Sequence, residues 1–232
     1  MKPVIKAVAL DKDGVIFDTE RLIYRAFREL IVRERLPIRP ELFEELVGKP
    51  PQVYLQVLNE ALGQAMSLDD FIARWFALRD EIFADEGAPF MPGADALITA
   101  LHARGVPLAL VTGDFRRNVE RDFARSSRPE LFACFAHVIT YEDVANPKPD
   151  PEPYRRAAEA LGVAPANLLV VEDSPPGVEA ATTAGCLTLI LPGYGMISPD
   201  LAARAWRTIR HHDEVLRLFD EVLRLFDEYG SR

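Results

Sequence analysis

Five short, almost continuously apolar runs constrain the fold of this chain more than any other feature of its sequence. A half-exposed strand alternates apolar and polar residues, whereas these runs are mostly apolar on both faces, which is typical of strands buried in a parallel sheet. Segments of helical length lie between them, and this alternation predicts an α/β fold with a doubly wound, Rossmann-like parallel sheet. The predicted strands are residues 4–10, 106–112, 137–140, 168–172 and 187–191, and the predicted helices are residues 94–104, 115–125, 151–161 and 176–184.

The connection between the first two predicted strands is much longer than a single crossover helix requires. Within it, apolar residues repeat at helical spacing over residues 22–31 and again over residues 68–83. We therefore predict that residues 18–90 form an inserted α-helical cap domain, while residues 1–17 and 91–232 form the α/β core domain. A helical lobe unrelated to function is the alternative.

Two pairs of acidic residues follow predicted strands directly. Asp11 and Asp13 come after the first strand, and Glu172 and Asp173 end the apolar run at residues 168–172. The carboxyl ends of parallel strands meet at one edge of a sheet, where ligands bind in open α/β folds. Two carboxylates a few ångströms apart repel by roughly 4 kcal/mol at an effective dielectric constant near 20. The pairs therefore indicate a divalent cation such as Mg²⁺, although an acidic turn closed by Gly14 is the alternative for the first pair.

A threonine, a glycine and a lysine could complete a phosphate site at the same edge. Thr112 and Gly113 follow the second predicted strand and offer a hydroxyl donor and an accessible backbone. Lys148 lies between two prolines that keep it out of a helix and stiffen the chain around it. Taken singly, a Thr-Gly pair at a strand end is common, and a lysine in a proline-rich turn is usually solvated.

Composition excludes several classes of protein. The net charge of −9 argues against nucleic acid as the main partner, because no basic patch is segregated in the sequence. The two cysteines, Cys134 and Cys186, have no metal-like spacing and indicate neither a zinc site nor a disulfide framework. The N-terminal apolar run is too short for a signal peptide or a membrane span. We therefore expect a cytoplasmic protein without a membrane or nucleic-acid partner.

Four segments together resemble the haloacid dehalogenase superfamily, in particular its β-phosphoglucomutase and sugar-phosphate phosphatase subgroup. The resemblance extends from residue 4 to about residue 195 and includes the helical insertion. It implies a Mg²⁺-dependent phosphatase that hydrolyses a small phosphomonoester through an aspartyl-phosphate intermediate. The four segments are residues 11–20, 111–114, 146–151 and 170–181.

The resemblance also implies a role for each residue of these segments. Asp11 would be the nucleophile, and Asp13 the general acid that protonates the leaving group and then the base that activates water. Thr112, Gly113 and Lys148 would bind the transferring phosphoryl group.

A Mg²⁺ ion is the cofactor that the resemblance implies. Its ligands would be the carboxylates of Asp11 and Asp173 and the main-chain carbonyl of Asp13. Glu172 would be a further ligand or would orient one.

The substrate partner is a small phosphomonoester, but the sequence does not identify which one, nor does it separate a monomer from a dimer. In the predicted cap, substrate contacts could come from four charged residues, each of which is more often simply solvated. These are Glu20, Lys49, Arg74 and Arg79.

Other functions remain open as alternatives. A β-phosphoglucomutase has a histidine five residues after the aspartate that matches Asp18, where this chain has Ile23. A haloacid dehalogenase would not need Asp13 or a metal pair. A phospho-acceptor signalling domain carries its aspartate on the third strand and has no cap. A pure interaction protein would use the C-terminal duplication, residues 213–219 and 220–226, which we predict to form a docked terminal helix.

Overall fold

The computed structural model describes residues 4–46, 51–193 and 196–218. Within these ranges the strands are β1 (Ala7–Leu10), β2 (Leu108–Val111), β3 (His137–Ile139), β4 (Leu168–Glu172), β5 (Leu187–Ile190) and β6 (Arg207–Thr208). They form one sheet in the order β3-β2-β1-β4-β5-β6, and every neighbouring pair is parallel. The predicted α/β fold with a Rossmann-like parallel sheet is confirmed, and only the short edge strand β6 has no counterpart in the sequence prediction.

The helices of the core lie close to their predicted positions. Ser174 caps one of them by accepting a hydrogen bond from the backbone N–H of Gly177 at 3.2 Å, and Pro175 follows as its first residue. In chain order the α-helices are α1 (Thr19–Glu34), α2 (Leu42–Leu46), α3 (Pro51–Leu62), α4 (Leu68–Glu86), α5 (Ala94–Ala103), α6 (Arg116–Ala124), α7 (Glu152–Ala160), α8 (Pro175–Thr183) and α9 (Pro199–Ala202), and short 3-10 helices span Pro129–Cys134, Tyr141–Asp143 and Pro165–Asn167.

Both faces of the sheet are buried, which explains its continuously apolar strands. Val8 and Leu10 point into one hydrophobic cluster, while Ala7 and Ala9 point into another on the opposite face. The second cluster contains small residues of α7 and α8, so these helices pack closely against the sheet. This two-sided burial fixes the register of β1 and hence the position of the residues that follow it.

The helices α1 to α4 lie between β1 and β2, where the sequence predicts the cap. The chain leaves and re-enters the core at two adjacent points, since Phe17 and Phe90 form a β-bridge with ring centroids 4.8 Å apart. Within the helical segment, α1 packs against α4 through a group of aromatic rings that includes Phe27 and Trp75, 5.2 Å apart. The division of the chain into domains at residues 18 and 90 stays a prediction.

The first copy of the C-terminal duplication packs onto the core. Residues 213–218 are helical, and the side chains of Val215 and Leu218 are buried. His212 precedes them, and its ring Nε2 lies 2.7 Å from the carbonyl oxygen of Val15. These contacts agree with the predicted docked helix for the first copy, whereas the second copy lies outside the described residues.

Candidate active site

The predicted acidic residues meet where the strand order reverses between β1 and β4. In doubly wound sheets, ligands bind beyond the carboxyl ends of the strands at this switch point. Asp11 follows β1 and Glu172 ends β4, and the backbone N–H of Asp11 donates a hydrogen bond to the carbonyl of Val171 at 3.1 Å. The sheet register therefore brings residues that are far apart in sequence to one crevice.

Lys148 reaches this crevice from a turn before α7 and bridges the two strand ends. Its Nζ donates to Asp11 Oδ1 and to Glu172 Oε1, each at 2.6 Å, and to the carbonyl of Val111 at 3.1 Å. Burial lowers the pKa of Lys148, but the two carboxylates outweigh this effect and hold it above its ordinary value. Lys148 is therefore a fixed positive charge at the carboxyl ends of three strands.

Asp173 adds a third carboxylate to the crevice. Asp11, Glu172 and Asp173 offer oxygen atoms within 4.8 Å of one another. Burial, followed by repulsion between the carboxylates, raises the pKa of Asp11 and of Asp173. A Cβ atom at Gly14 or Gly193 would lie 2.0 or 2.4 Å from Asp173 Oδ2, so a larger residue at either position would displace this carboxylate. The three acids and Lys148, named here the Lys148 cluster, fit a hard divalent cation such as Mg²⁺.

Asp13 faces the same cavity, but its side chain lies outside this group of three carboxylates. Thr19 Oγ1 donates a hydrogen bond to Asp13 Oδ1 at 2.7 Å, and Lys12 Nζ lies 3.5 Å from the same oxygen. Desolvation by the surrounding protein raises the pKa of Asp13, and Lys12 opposes that rise. The Asp13 side chain is still 44% exposed, so solvent in the cavity moderates the shift. A solvent-accessible carboxyl with one oxygen fixed is suited to proton transfer.

Thr112 and Gly113 line this cavity together with the four acidic or basic residues already described. The cavity has a volume of about 440 Å³ and contains Asp11, Asp13, Lys148 and Asp173 among its lining residues. Thr112 is buried, whereas a Cβ atom at Gly113 would meet no atom within 4 Å. The space beside the Gly113 backbone is therefore open, and packing alone does not require glycine there.

Comparison with known protein families matches most of the chain. A family model described as a haloacid dehalogenase-like hydrolase matches residues 5–185. This chain belongs to the haloacid dehalogenase-like hydrolases. The resemblance seen in the sequence and the prediction of an enzyme are both confirmed.

Relatives of this hydrolase include several phosphatases. It is 34% identical over 181 residues to the phosphorylated carbohydrates phosphatase of Thermotoga maritima, covering 78% of this chain and 82% of that protein. It is 35% identical to a probable pseudouridine-5'-phosphatase of Drosophila melanogaster, covering 78% and 79% of the two chains. Among solved structures, a β-phosphoglucomutase-like protein of Thermotoga maritima superimposes with a TM-score of 0.78 at 30% identity, covering 94% of this chain and 100% of that one.

Tyr154 and Ser174 hold Glu172 in place, and the sequence pattern predicts neither contact. Tyr154 Oη donates to Glu172 Oε1 at 2.5 Å, and Ser174 Oγ donates to Oε2 at 3.0 Å. Glu172 and Tyr154 are fully buried, and a Cβ atom at Gly177 would lie 1.8 Å from Glu172 Oε1. The sequence signal at Tyr154 is only that of an apolar helix face, which does not indicate where its hydroxyl points.

A second buried lysine, Lys12, was also missed. Its Nζ donates to Asp114 Oδ2 and to Asp122 Oδ2, each at 2.6 Å, and its side chain is only 2% exposed. Lys12, Asp114 and Asp122 form what we call the Lys12 cluster. In a locally extended chain the residue between two aspartates points away from them. This alternation is the only sequence pattern that indicates a separate environment for the Lys12 side chain.

A larger cavity adjoins the first one. It has a volume of about 840 Å³ and lies between α1, α4 and α6, and we call it the interhelical groove. Asp13, Glu20 and Asp114 line both cavities, so the two meet at these side chains. A molecule bound beside Asp11 could therefore extend into the interhelical groove.

The four charged residues proposed for substrate contact have different positions. Glu20 and Arg79 line the interhelical groove, and the pKa of Glu20 is raised by burial and by neighbouring carboxylates. Arg74 instead forms an exposed ion pair with Glu34 at 2.9 Å and lines neither cavity. Lys49 lies outside the described residues.

None of the helices in the described ranges is both long and apolar enough to span a membrane. A cytoplasmic location, a monomeric or dimeric state and the absence of a nucleic-acid partner stay predictions.

Proposed function

We propose that this hydrolase is a Mg²⁺-dependent phosphatase that hydrolyses a small phosphomonoester, a sugar phosphate or similar metabolite, through an aspartyl-phosphate intermediate. The observation that carries the proposal is the convergence of Asp11, Asp13, Asp173 and Lys148 on one cavity at the switch point of the sheet. The relative from Thermotoga maritima, a phosphatase of phosphorylated carbohydrates, supports the proposed class of substrate.

In the first step, a carboxylate oxygen of Asp11 attacks phosphorus, and the bond from phosphorus to the leaving oxygen breaks. Lys148 Nζ already lies 2.6 Å from Asp11 Oδ1, so it can contact the phosphoryl group as this bond forms. The Thr112 hydroxyl and the Gly113 backbone N–H would donate hydrogen bonds to the other phosphoryl oxygens. Phosphoryl transfer depends mainly on such positioning and on neutralising charge on the equatorial oxygens.

Asp13 would transfer the protons of both steps. It gives its proton to the leaving alcohol oxygen and later takes a proton from the water that attacks the aspartyl phosphate. The bond from phosphorus to Asp11 then breaks, which releases inorganic phosphate and regenerates the carboxylate. Thr19, which donates to Asp13 Oδ1, would keep the other oxygen of Asp13 directed at the reacting atoms.

Asp11, Asp173 and the main-chain carbonyl of Asp13 would hold Mg²⁺, and Glu172 would be a ligand or would orient one. When bound, Mg²⁺ neutralises the carboxylates and the phosphoryl charge and keeps the two reactants in line. Glu172 also accepts a hydrogen bond from Lys148 Nζ at 2.6 Å. It would therefore position the lysine as well as the metal.

The central test is the Asp11→Asn variant, which keeps the shape of the side chain and removes the nucleophilic oxygen. We expect no turnover of any phosphomonoester with Mg²⁺ present, whereas Asp200→Asn, an exposed change on α9, should leave turnover as in the wild type. Asp13→Asn should slow the reaction about 10²- to 10⁴-fold. EDTA should abolish activity and Mg²⁺ should restore it. Unchanged activity of Asp11→Asn would refute the assignment.

A mutase is a second candidate, because one similar structure is that of a β-phosphoglucomutase-like protein. Ile23 lines the interhelical groove and provides no proton donor there. Hydrolysis is therefore the expected reaction, and a panel of phosphomonoesters should include β-glucose 1-phosphate. Formation of glucose 6-phosphate instead of inorganic phosphate would favour the mutase.

A further inference from the structure

Three arginines line the interhelical groove beyond the part that it shares with the smaller cavity. Arg79 comes from α4, and Arg117 and Arg121 come from α6. The shared part carries only acidic side chains, namely Asp13, Glu20 and Asp114. The rest of the groove, which we call the far end, therefore contains these three arginines and Lys12 against the two carboxylates of Asp80 and Asp122, in a chain whose net charge is −9.

Each of these arginines stacks on an aromatic ring. Stacking restricts the plane of the guanidinium group and leaves its N–H donors free at the edge, which reduces the entropy lost when an anion binds. The distance from guanidinium carbon to ring centroid is 4.7 Å for Arg79 over Phe76, 5.2 Å for Arg117 over Phe115 and 4.5 Å for Arg121 over Phe83.

The carboxylates at the far end do not neutralise these arginines completely. Asp122 is buried, and its negative charge is shared between two cations. It accepts hydrogen bonds from Lys12 Nζ at 2.6 Å and from Arg121 Nη2 at 3.0 Å. Asp80 pairs with Arg79 at 2.7 Å. Across residues 4–46, 51–193 and 196–218, Arg117 has neither a side-chain hydrogen bond nor an ion-pair partner. The far end therefore has an unpaired cation.

We propose that the far end of the interhelical groove binds a second anionic group of the substrate, a carboxylate or a phosphate, with Arg117 as its main contact. This inference rests on the proposed function, because the transferred phosphoryl group must lie beside Asp11 for the other end of the molecule to reach Arg117. Preferred substrates would then carry negative charge at both ends. Binding at the far end also contributes energy that positions the reacting end.

Two matched pairs of substrates test the proposal in the wild-type enzyme at saturating Mg²⁺. The first pair is glycerol 3-phosphate and 3-phosphoglycerate, which adds a carboxylate, and the second is fructose 6-phosphate and fructose 1,6-bisphosphate, which adds a phosphate. We expect kcat/KM to be about tenfold higher or more for the doubly anionic member of at least one pair. The pair that responds identifies the anion.

The Arg117→Gln variant should lower that preference about tenfold, and Arg155→Gln is its control. Arg155 is an exposed arginine on α7 and lines neither cavity, so removing its charge should preserve the preference. The proposal is overturned if the wild type turns over both members of each pair equally well. It is also overturned if Arg117→Gln lowers kcat/KM by the same factor for both members.

Calorimetry separates failure of this inference from failure of the proposed function. If no phosphomonoester is turned over, the proposed function fails, but the anion site can still be tested by binding. In the Asp11→Asn background, fructose 1,6-bisphosphate should bind about tenfold more tightly than fructose 6-phosphate, and Arg117→Gln should remove the difference. Equal affinities with Arg117 present would overturn the anion site.

Discussion

The Lys148 cluster and the Lys12 cluster have similar geometry but different surroundings. In each, a buried lysine donates to two carboxylates at 2.6 Å. The Lys148 cluster contains the additional carboxylate of Asp173 and lines the smaller cavity, whereas the Lys12 cluster lines the interhelical groove. In the Lys12 cluster, the second oxygen of each carboxylate accepts hydrogen bonds from other groups. Asn118 and the Phe115 backbone N–H donate to Asp114, and Arg121 donates to Asp122.

The two clusters shift the pKa values of their carboxyl groups in opposite directions. At Asp114, desolvation raises the pKa, but Lys12 and the other donors outweigh it and lower the pKa. At Asp11 and Asp173, burial and mutual repulsion outweigh Lys148 and raise the pKa. A cluster whose charges are fully paired stabilises the fold, whereas a cluster with excess negative charge beside a cavity is able to bind a cation. The predictions below test this separation.

Among the variants that separate the two clusters, Lys148→Met should have the largest effect on activity. The variant removes the positive charge expected to contact the phosphoryl oxygens, so we expect kcat to fall about 100- to 1000-fold. Steady-state kinetics at saturating Mg²⁺ measure this, with the exposed Lys6→Met as a matched control. A loss of less than tenfold would show that the Lys148 cluster does not differ functionally from the Lys12 cluster.

Replacing Lys12 with methionine should act on stability, and on activity to a smaller extent than Lys148→Met because Lys12 Nζ lies 3.5 Å from Asp13 Oδ1. Asp122 is buried and would lose its ammonium partner, so we expect the free energy of unfolding to fall by about 3–5 kcal/mol. Urea unfolding measures the change, and Lys12→Met combined with Asp122→Asn should recover part of it because the buried carboxylate that lost its ammonium partner is then absent. A loss of less than about 1 kcal/mol would contradict a stabilising role.

The sequence predicts the sheet and most of the Lys148 cluster because both depend on strand ends. Apolar runs identify β1 and β4, and residues that follow parallel strands must lie at one edge, as Asp11 and Glu172 do. The Lys12 contacts depend instead on how α6 packs, since Lys12 and Asp122 are 110 residues apart in the chain. Side-chain directions at helix interfaces are equally hard to predict: Phe76 belongs to the apolar repeat predicted over residues 68–83 but is 40% exposed.

A smaller effect is expected from Tyr154→Phe, which removes one hydroxyl from the Lys148 cluster. Glu172 would keep its contacts with Lys148 and Ser174 but lose the hydrogen bond that orients Oε1. Because residues that orient ligands tune metal affinity, we expect the Kd for Mg²⁺ to rise about tenfold. Mg²⁺ titration of activity and calorimetry measure it, with the exposed Tyr141→Phe as control. An unchanged Kd would show that the Tyr154 hydroxyl does not affect Mg²⁺ binding.

The smallest effect should be the pH dependence of stabilisation by Mg²⁺. Without metal, burial and repulsion raise the pKa of Asp11 to about 7 and that of Asp173 to about 9, from an ordinary value of 3.8. Between the ordinary pKa of 3.8 and these raised values, the folded protein binds more protons than the unfolded chain. The stability contributed by the Lys148 cluster therefore falls as pH rises from about 4 to about 9. Bound Mg²⁺ would replace the missing protons. The increase in Tm on adding Mg²⁺ should therefore be close to zero at about pH 5 and reach about 2–4 °C at about pH 8.5.

The Lys12 cluster has the opposite dependence, which separates the two clusters in one experiment. The pKa of Asp114 is lowered, so its contribution to stability is present above the unfolded pKa and is lost as pH falls through the folded pKa. Lys12→Met should therefore weaken acid resistance while keeping the increase in Tm caused by Mg²⁺ at about pH 8.5. Asp173→Asn should instead keep acid resistance and lose the increase in Tm caused by Mg²⁺, because it removes one of the repelling carboxylates and a proposed metal ligand. If Mg²⁺ shifted Tm equally at both pH values, the excess negative charge of the Lys148 cluster would not be the property that binds the cation.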